Sequence, residues 1–263
     1  MDLAEARARG FDASIRHPWE AARVEVVKRL IRRHARLTGD AIVMDIGCGD
    51  TFVAEQLAAE YPESRVYAVD TAFTSEIIEH YRARLKNPRV LPFPSLDAIA
   101  PLPGRPASLV LLMDVIEHIE DDEGFLAGLR ARPYITSDTK FLVTVPAYQS
   151  LFCSHDRFLG HYRRYSNPML RDHLQRAGFR VIDIGYFFSS LLPIRVLQVV
   201  KERLLGARPE GQTSGLVTWN GGAALAAVMR EMLVVDARVT MTLAGAGVRL
   251  PGLSNYAICA TSA

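Results

Sequence analysis

Cysteine is scarce in this 263-residue chain: Cys48, Cys153 and Cys259 lie far apart and form no CxxC pair. That argues against a disulfide framework or a zinc ribbon and favours a reducing compartment. An excess of one charge is also missing. The 31 basic and 29 acidic residues leave a net +2, so no global basic field points to nucleic acid. Long apolar runs are absent as well. A bilayer core needs roughly 20 predominantly apolar residues, whereas YFFSSLLPIRVLQVV (186–200) contains Pro193 and Arg195 and meets Lys201 and Glu202. The segment through 205 reads instead as a helix with one apolar face, either buried or in peripheral contact with a membrane surface. The N-terminal MDLAEARARGFDASIRHPWEAAR lacks the apolar run of a secretory signal, so a cytoplasmic location, with or without membrane contact, is expected.

What is present is ample core: 49% of the residues are hydrophobic. Apolar residues at helical spacing predict a helix over 18–37, and AIVMDIG (41–47) reads as a buried strand ending in glycine. Strands are expected at 65–70, 89–93, 108–114, 140–146, 179–188 and 254–261, with helices between them. Pro168 and Gly178 mark the start and stop of one of these helices. Alternating strands and helices imply an α/β fold with a parallel sheet covered on both faces. Ligands in such sheets bind beyond the carboxyl ends of the strands. Residues 1–40 are expected to form an N-terminal helical cap, 41–188 a catalytic core, 189–250 an apolar helical insertion that could cover the site, and 251–263 a final core strand.

The loop after the first strand, VMDIGCGDTF, places Gly47 and Gly49 where a backbone can turn sharply and touch a ligand. The third glycine of a dinucleotide fingerprint is absent, and no Lys-Ser/Thr follows, which disfavours a nucleoside-triphosphate loop. Asp70 closes the second strand 21 residues after Gly49, where a carboxylate can accept both hydroxyls of a ribose.

VMDIGCGDTFVAEQLA, VYAVD and LVLLMDVIEHIED together resemble the class I S-adenosylmethionine-dependent methyltransferases. The resemblance runs from about 17 to 188 and returns at the last strand. It implies a Rossmann-like, seven-stranded, mostly parallel sheet with helices on both faces. The last strand would be antiparallel and inserted between strands five and six, after the helical insertion. It also implies S-adenosyl-L-methionine as cofactor. Gly47 and Gly49 would pass its methionine moiety, Asp45 its amino group and Asp70 its ribose, while Ser95 and Leu96 fall where the family contacts adenine. Thr71 and Asp114 are expected in the same site, with Trp19 covering the cofactor and Arg23 near its carboxylate. Thr51 stands where members often carry a third glycine.

DVIEH (114–118) follows strand four, and helical spacing puts Asp114, Glu117 and His118 on one face. The resemblance offers two roles here. Glu117 and His118 shape the pocket and bond the acceptor. Alternatively, Asp114, Glu117, His118 and His155 hold a metal, as in metal-assisted methyltransferases that include those of RNA ends.

HDRFLGHYRRYS (155–166) follows strand five. Such polar density is not demanded by folding, and its readings are a solvated loop, a nucleic-acid contact or an acceptor-pocket wall. In the last, which we favour, His155 or His161 serves as general base because imidazole titrates near neutrality. His118 joins them as a catalytic candidate. Tyr148, Tyr162 and Tyr165 shape the pocket, and Arg163 or Arg164 holds an anionic group. The expected function is methyl transfer to a small or lipid-linked metabolite, with oxygen the favoured acceptor atom. The alternatives are a metal-assisted RNA 2′-O-methyltransferase and a non-catalytic S-adenosylmethionine-binding module.

Overall fold

The computed structural model describes residues 16–85, 87–99, 105–206 and 221–262. Strands β1 (Ile42–Ile46), β2 (Arg65–Val69), β3 (Val90–Phe93), β4 (Leu109–Met113), β5 (Lys140–Pro146), β6 (Phe179–Phe187) and β7 (Ser254–Thr261) form one sheet in the order β3-β2-β1-β4-β5-β7-β6. Every pairing among β1 to β5 is parallel, whereas β7 runs antiparallel to both β5 and β6. The mostly parallel α/β sheet expected from the sequence is the one observed, with the last strand between the fifth and sixth.

Successive side chains on a strand point to opposite faces, and this parity builds two cores. Val43, Leu109, Leu111 and Ile258 pack on one face. They meet helices α1 (Pro18–His34), α2 (Phe52–Glu60) and α8 (Gly222–Gly245). Met44, Val110, Leu112 and Cys259 pack on the other. There they meet α4 (Asp122–Arg130) and α6 (Asn167–Arg176). The remaining helices are α3 (Ser75–Arg84), α5 (Ser154–Phe158) and α7 (Leu191–Leu205). The three cysteines are free and buried.

Helix α1 starts with Pro18 in its first turn, behind His17, whose Nδ1 accepts from the Trp19 amide at 3.2 Å. It stops at His34, three residues short of the expected end. Ala35 turns extended there, and Leu37 folds back onto the core instead of continuing the helix. Ala22, Val27, Leu30 and Ile31 are buried in the sheet's own core, so the described part of the expected N-terminal cap packs as a layer on the sheet; residues 1–15 lie outside the described residues. Leu233, Val234, Ala237 and Met241 of α8 complete the α1 side of the core, and the Gly-rich connection expected between the insertion's helices falls in 207–220, outside the described residues.

Candidate active site

Parallel strands bring β1, β2 and β4 to a common carboxyl edge, and the loops leaving that edge carry the expected chemistry. Gly47 and Gly49 adopt φ of 69° and 62°, a region open to glycine without steric cost. A Cβ on Gly47 would lie 2.6 Å from a Val115 methyl. Gly49 donates its amide to Asp70 Oδ2 at 2.9 Å, and Ala72 donates to Asp70 Oδ1 at 2.9 Å. Asp70 therefore fixes the glycine loop against the end of β2, and Thr71 beside it is exposed. Thr51 has φ 65°, the conformation for which glycine is suited and a β-branched residue is strained. Its hydroxyl donates to Glu55 at 2.9 Å. Ser95 caps the short turn Leu96–Ala98, accepting from the Ala98 amide at 3.2 Å, and Leu96 packs on the core.

Asp45 shares the parity of Val43 and so faces the α1 side of β1. It is fully buried, and neither carboxylate oxygen meets a hydrogen-bond donor among the described residues. Burial pushes its pKa up to about 7, against the pull of nearby Arg23. An unpaired buried carboxylate is costly unless a cation answers it, so this position suits an ammonium group. Arg23 reaches across from α1 to Asp114, with Nη1 2.5 Å from Oδ2, and also donates to Thr144. The guanidinium stacks over Trp19 at 5.1 Å. Arg16 and Asp50 form a further ion pair over the Phe52 ring, a pair the sequence reading did not single out.

Asp114 itself has φ 54°, and Tyr148 φ 62°. With Thr51 and Phe188 (φ 61°), four strained non-glycine residues among the described ones thus flank the carboxyl edge of the sheet, the pattern expected where function over-determines the backbone.

After β4, the turn Ile116–His118 tucks Glu117 inward to 0% exposure, and neither of its oxygens meets a donor from another side chain among the described residues. Burial, reinforced by Asp114, drives its pKa well above the usual carboxylate range. Glu117, His118 and His161 converge so that one ligand atom of each lies within 4.8 Å of the others. The His118 and His161 rings meet edge-on at 4.6 Å.

HDRFLGHYRRYS is held against this turn by its backbone. Tyr162 N donates to Glu117 O at 2.8 Å, and Tyr165 bridges to Ala147 just past β5. His161 Nδ1 lies 3.0 Å from Asp156 Oδ1. With Nδ1 so engaged, Nε2 is the nitrogen left for the cluster. Asp156 also accepts from Arg164 Nε at 2.7 Å, Arg195 Nη2 at 3.2 Å and the Cys153 amide at 2.9 Å. Burial works to raise its pKa, yet His161, Arg164 and the Cys153 amide hold it far below the usual range.

Several expected roles change. Arg164 is buried on Asp156 and the Ala147 carbonyl. Arg163 pairs with Asp122 and donates to the Glu120 carbonyl. Both are consumed in internal pairs rather than set out to hold an acceptor anion. Tyr165 is fully buried, its hydroxyl donating to Asp122 at 2.6 Å, with His173 on the same carboxylate; it braces the loop from behind. His155 is absent from the Glu117 cluster. Burial, then the Arg195 charge, pushes its pKa down to about 4, so it is neutral near pH 7. Asp114 leaves the expected ligand set because Arg23 claims it. Tyr148 stacks on Tyr186 at 5.2 Å, and Tyr162 stands 52% exposed at the rim.

A family model for a methyltransferase domain matches residues 19–184, more than half of the chain. No curated protein sequence matches. Among solved structures, a chain from the complex between the Haloferax volcanii Trm112 methyltransferase activator and a methyltransferase aligns with TM-score 0.57 at 15% identity, covering 99% of this chain and 95% of that one. Coclaurine N-methyltransferase bound to N-methylheliamine and SAH aligns with TM-score 0.54 at 16% identity, over 90% of this chain and 70% of that one. The mycolic acid cyclopropane synthase CmaA1, complexed with SAH and CTAB, gives 0.52 at 16%, over 91% and 83%. At such identities these likenesses show the fold, while the family match reaches further: the chain belongs to the methyltransferase-domain family and is an S-adenosylmethionine-dependent methyltransferase.

Proposed function

We propose that this methyltransferase methylates an oxygen of a small or lipid-linked acceptor lodged between Glu117, His118 and His161. The observation that carries this reading is the convergence of two imidazoles, one fixed by Asp156, with a buried carboxylate that lacks a hydrogen-bond partner among the described residues. In the transfer, the acceptor oxygen attacks the methyl carbon as the carbon–sulfur bond breaks, and S-adenosylhomocysteine leaves. The hydroxyl proton passes to His161 Nε2, and Asp156 stabilises the resulting imidazolium. Burial raises the pKa of Glu117, which favours the protonated form that would donate to the acceptor. The cofactor's ammonium answers Asp45, and its ribose meets Asp70. Alignment of the reacting atoms and exclusion of water supply much of the acceleration. Tyr148 and Tyr162 shape the acceptor wall. The lipid-linked side of the reading draws on the apolar outer face of α7 and on the mycolic acid named for one fold relative.

The test is incubation with methyl-labelled cofactor and a metabolite extract, followed by mass spectrometry. A labelled ether or ester supports the reading; label on nitrogen or carbon alone contradicts the oxygen acceptor.

The same cluster favours a second reading. Glu117, His118 and His161 are a carboxylate and two imidazoles at ligand spacing, with Asp156 behind His161 as an outer-shell partner. A divalent ion held there would lower the acceptor's pKa in place of a base. Activity abolished by a chelator and restored by Mg²⁺, Mn²⁺ or Zn²⁺ selects this reading; chelator-resistant turnover selects the first.

A further inference from the structure

Helix α7 has its polarity reversed. Its inward positions carry charge: Arg195 donates to Asp156 and Cys153, and Glu202 accepts from both the amide and the hydroxyl of Ser154 at 2.8 Å. Val199 and the half-buried Leu192 supply its apolar contact, against Leu151, Cys153 and Tyr148. Its outward face is apolar. Ile194, Leu197, Val200 and Leu204 recur at helical spacing, with Leu197 69% and Leu204 78% exposed. A helix packed on a water-soluble domain ordinarily shows the opposite arrangement, and a contiguous exposed apolar row marks an interaction surface.

Charge around that row indicates what covers it. Lys201 and Arg203 are exposed on the same helix. A second outward apolar row, Val228, Met232 and Val235, lies on α8. That helix packs beside α1, whose Arg29 and Arg33 are exposed. No helix among the described residues is long and apolar enough to cross a membrane. An exposed apolar row that carries Lys201 and Arg203 on its own helix suits the interface of an anionic bilayer, where the row enters the acyl boundary and the cations meet headgroups.

We propose that α7 seats on an anionic lipid surface, and that Arg195 on its inner side is a positioning residue linking this seat to the Asp156–His161 pair. Asp156 divides its two oxygens between the two tasks. Oδ1 takes His161 and Arg164, while Oδ2 takes Arg195 and the Cys153 amide. Fixing α7 fixes Arg195, and through Asp156 the orientation of His161. The coupling half of the proposal rests on the acceptor reading above; the seating half stands without it.

The full chain is tested by co-sedimentation with phosphatidylglycerol–phosphatidylcholine vesicles, with phosphatidylcholine vesicles as control. Wild-type protein is expected to partition onto the anionic vesicles, and the L197D/L204D variant to lose about tenfold or more of that partitioning with unchanged circular dichroism. Hydrogen exchange across 153–161 is expected to slow when vesicles bind. Arg195→Met should lose that slowing while still binding vesicles, and Arg195→Lys should retain it. A wild-type chain that ignores the vesicles, or a double variant that binds as well as wild type, overturns the seating. So does a concentration-dependent dimer abolished by the same substitutions without vesicle binding. Unaltered exchange in vesicle-bound wild type, or slowing that survives in Arg195→Met, overturns the coupling. Calorimetry with S-adenosylmethionine on the same samples separates the two failures: lost cofactor binding with intact vesicle binding counts against the enzymatic reading alone.

Discussion

His161 Nδ1 lies 3.0 Å from Asp156 Oδ1, in a contact 8% exposed on the histidine and fully buried on the aspartate. The carboxylate is gripped by Arg164 and Arg195, so it stays ionised and can hold one tautomer of the imidazole. The proposed mechanism uses this buried pair as an oriented base. Asp156→Asn should lower turnover by roughly 10²-fold or more while cofactor affinity stays within about twofold. Because Asp156 is buried among cations, a thermal melt of the same variant must accompany the kinetics, and His161→Gln supplies an independent variant.

Asp70 bonds the backbone on both sides of the cofactor edge. Asp70→Ala removes the side-chain acceptors of the Gly49 and Ala72 amides together with the proposed ribose partner. The expected result is cofactor binding weakened by roughly 10–100-fold, read by calorimetry, with the sheet still folded by far-ultraviolet circular dichroism. Unchanged affinity would remove Asp70 from the ribose role.

Asp45 gives a pH signature. Its folded pKa is raised to about 7 by burial, above the ordinary value near 4. The native state therefore holds a proton that the unfolded chain releases, and this group's contribution to stability falls as pH rises from about 4 through about 7. A cofactor ammonium needs the ionised form, so cofactor affinity should rise with pH across the upper part of that window. Asp45→Asn should flatten both slopes, in urea titrations and in calorimetry.

His155 titrates the other way. Burial and Arg195 lower its folded pKa to about 4, so the unfolded chain binds the extra proton first. Its contribution to stability is present above about pH 6.5 and is lost as pH falls toward about 4. His155→Gln should reduce the acid sensitivity of unfolding in that window and leave turnover at pH 8 largely intact. A collapse of turnover at pH 8 would return His155 to the active site.

Gly47 has φ 69° and a Val115 methyl 2.6 Å from where a Cβ would sit. Gly47→Ala should cost about 1–3 kcal/mol in urea denaturation and weaken cofactor binding as the loop shifts.

The fold was legible because its signals are local and repeated: short apolar strands, glycine at a strand end, Asp70 at the next strand end, and helices between them. The meeting of DVIEH with HDRFLGHYRRYS was legible from their shared position beyond β4 and β5. What sequence order concealed was partner choice. Of three arginines in that stretch, Arg163 and Arg164 serve internal carboxylates, and nothing in their spacing distinguishes them from anion-binding ones. Tyr165 turned inward to Asp122, a partner 43 positions away. Arg195 read as a blemish in an apolar run, yet it is the inward charge of a helix whose apolar face points out. Arg16 and Asp50 meet only because α1 lies over the glycine loop.

The most direct measurement is transfer of labelled methyl from S-adenosylmethionine to an extracted acceptor, compared between wild type and His161→Gln at matched cofactor saturation. Oxygen-linked label formed by wild type, and lost by roughly 10²-fold or more in the variant with cofactor affinity preserved, is the expected result. Equal product from both proteins would contradict the placement of the acceptor at Glu117, His118 and His161.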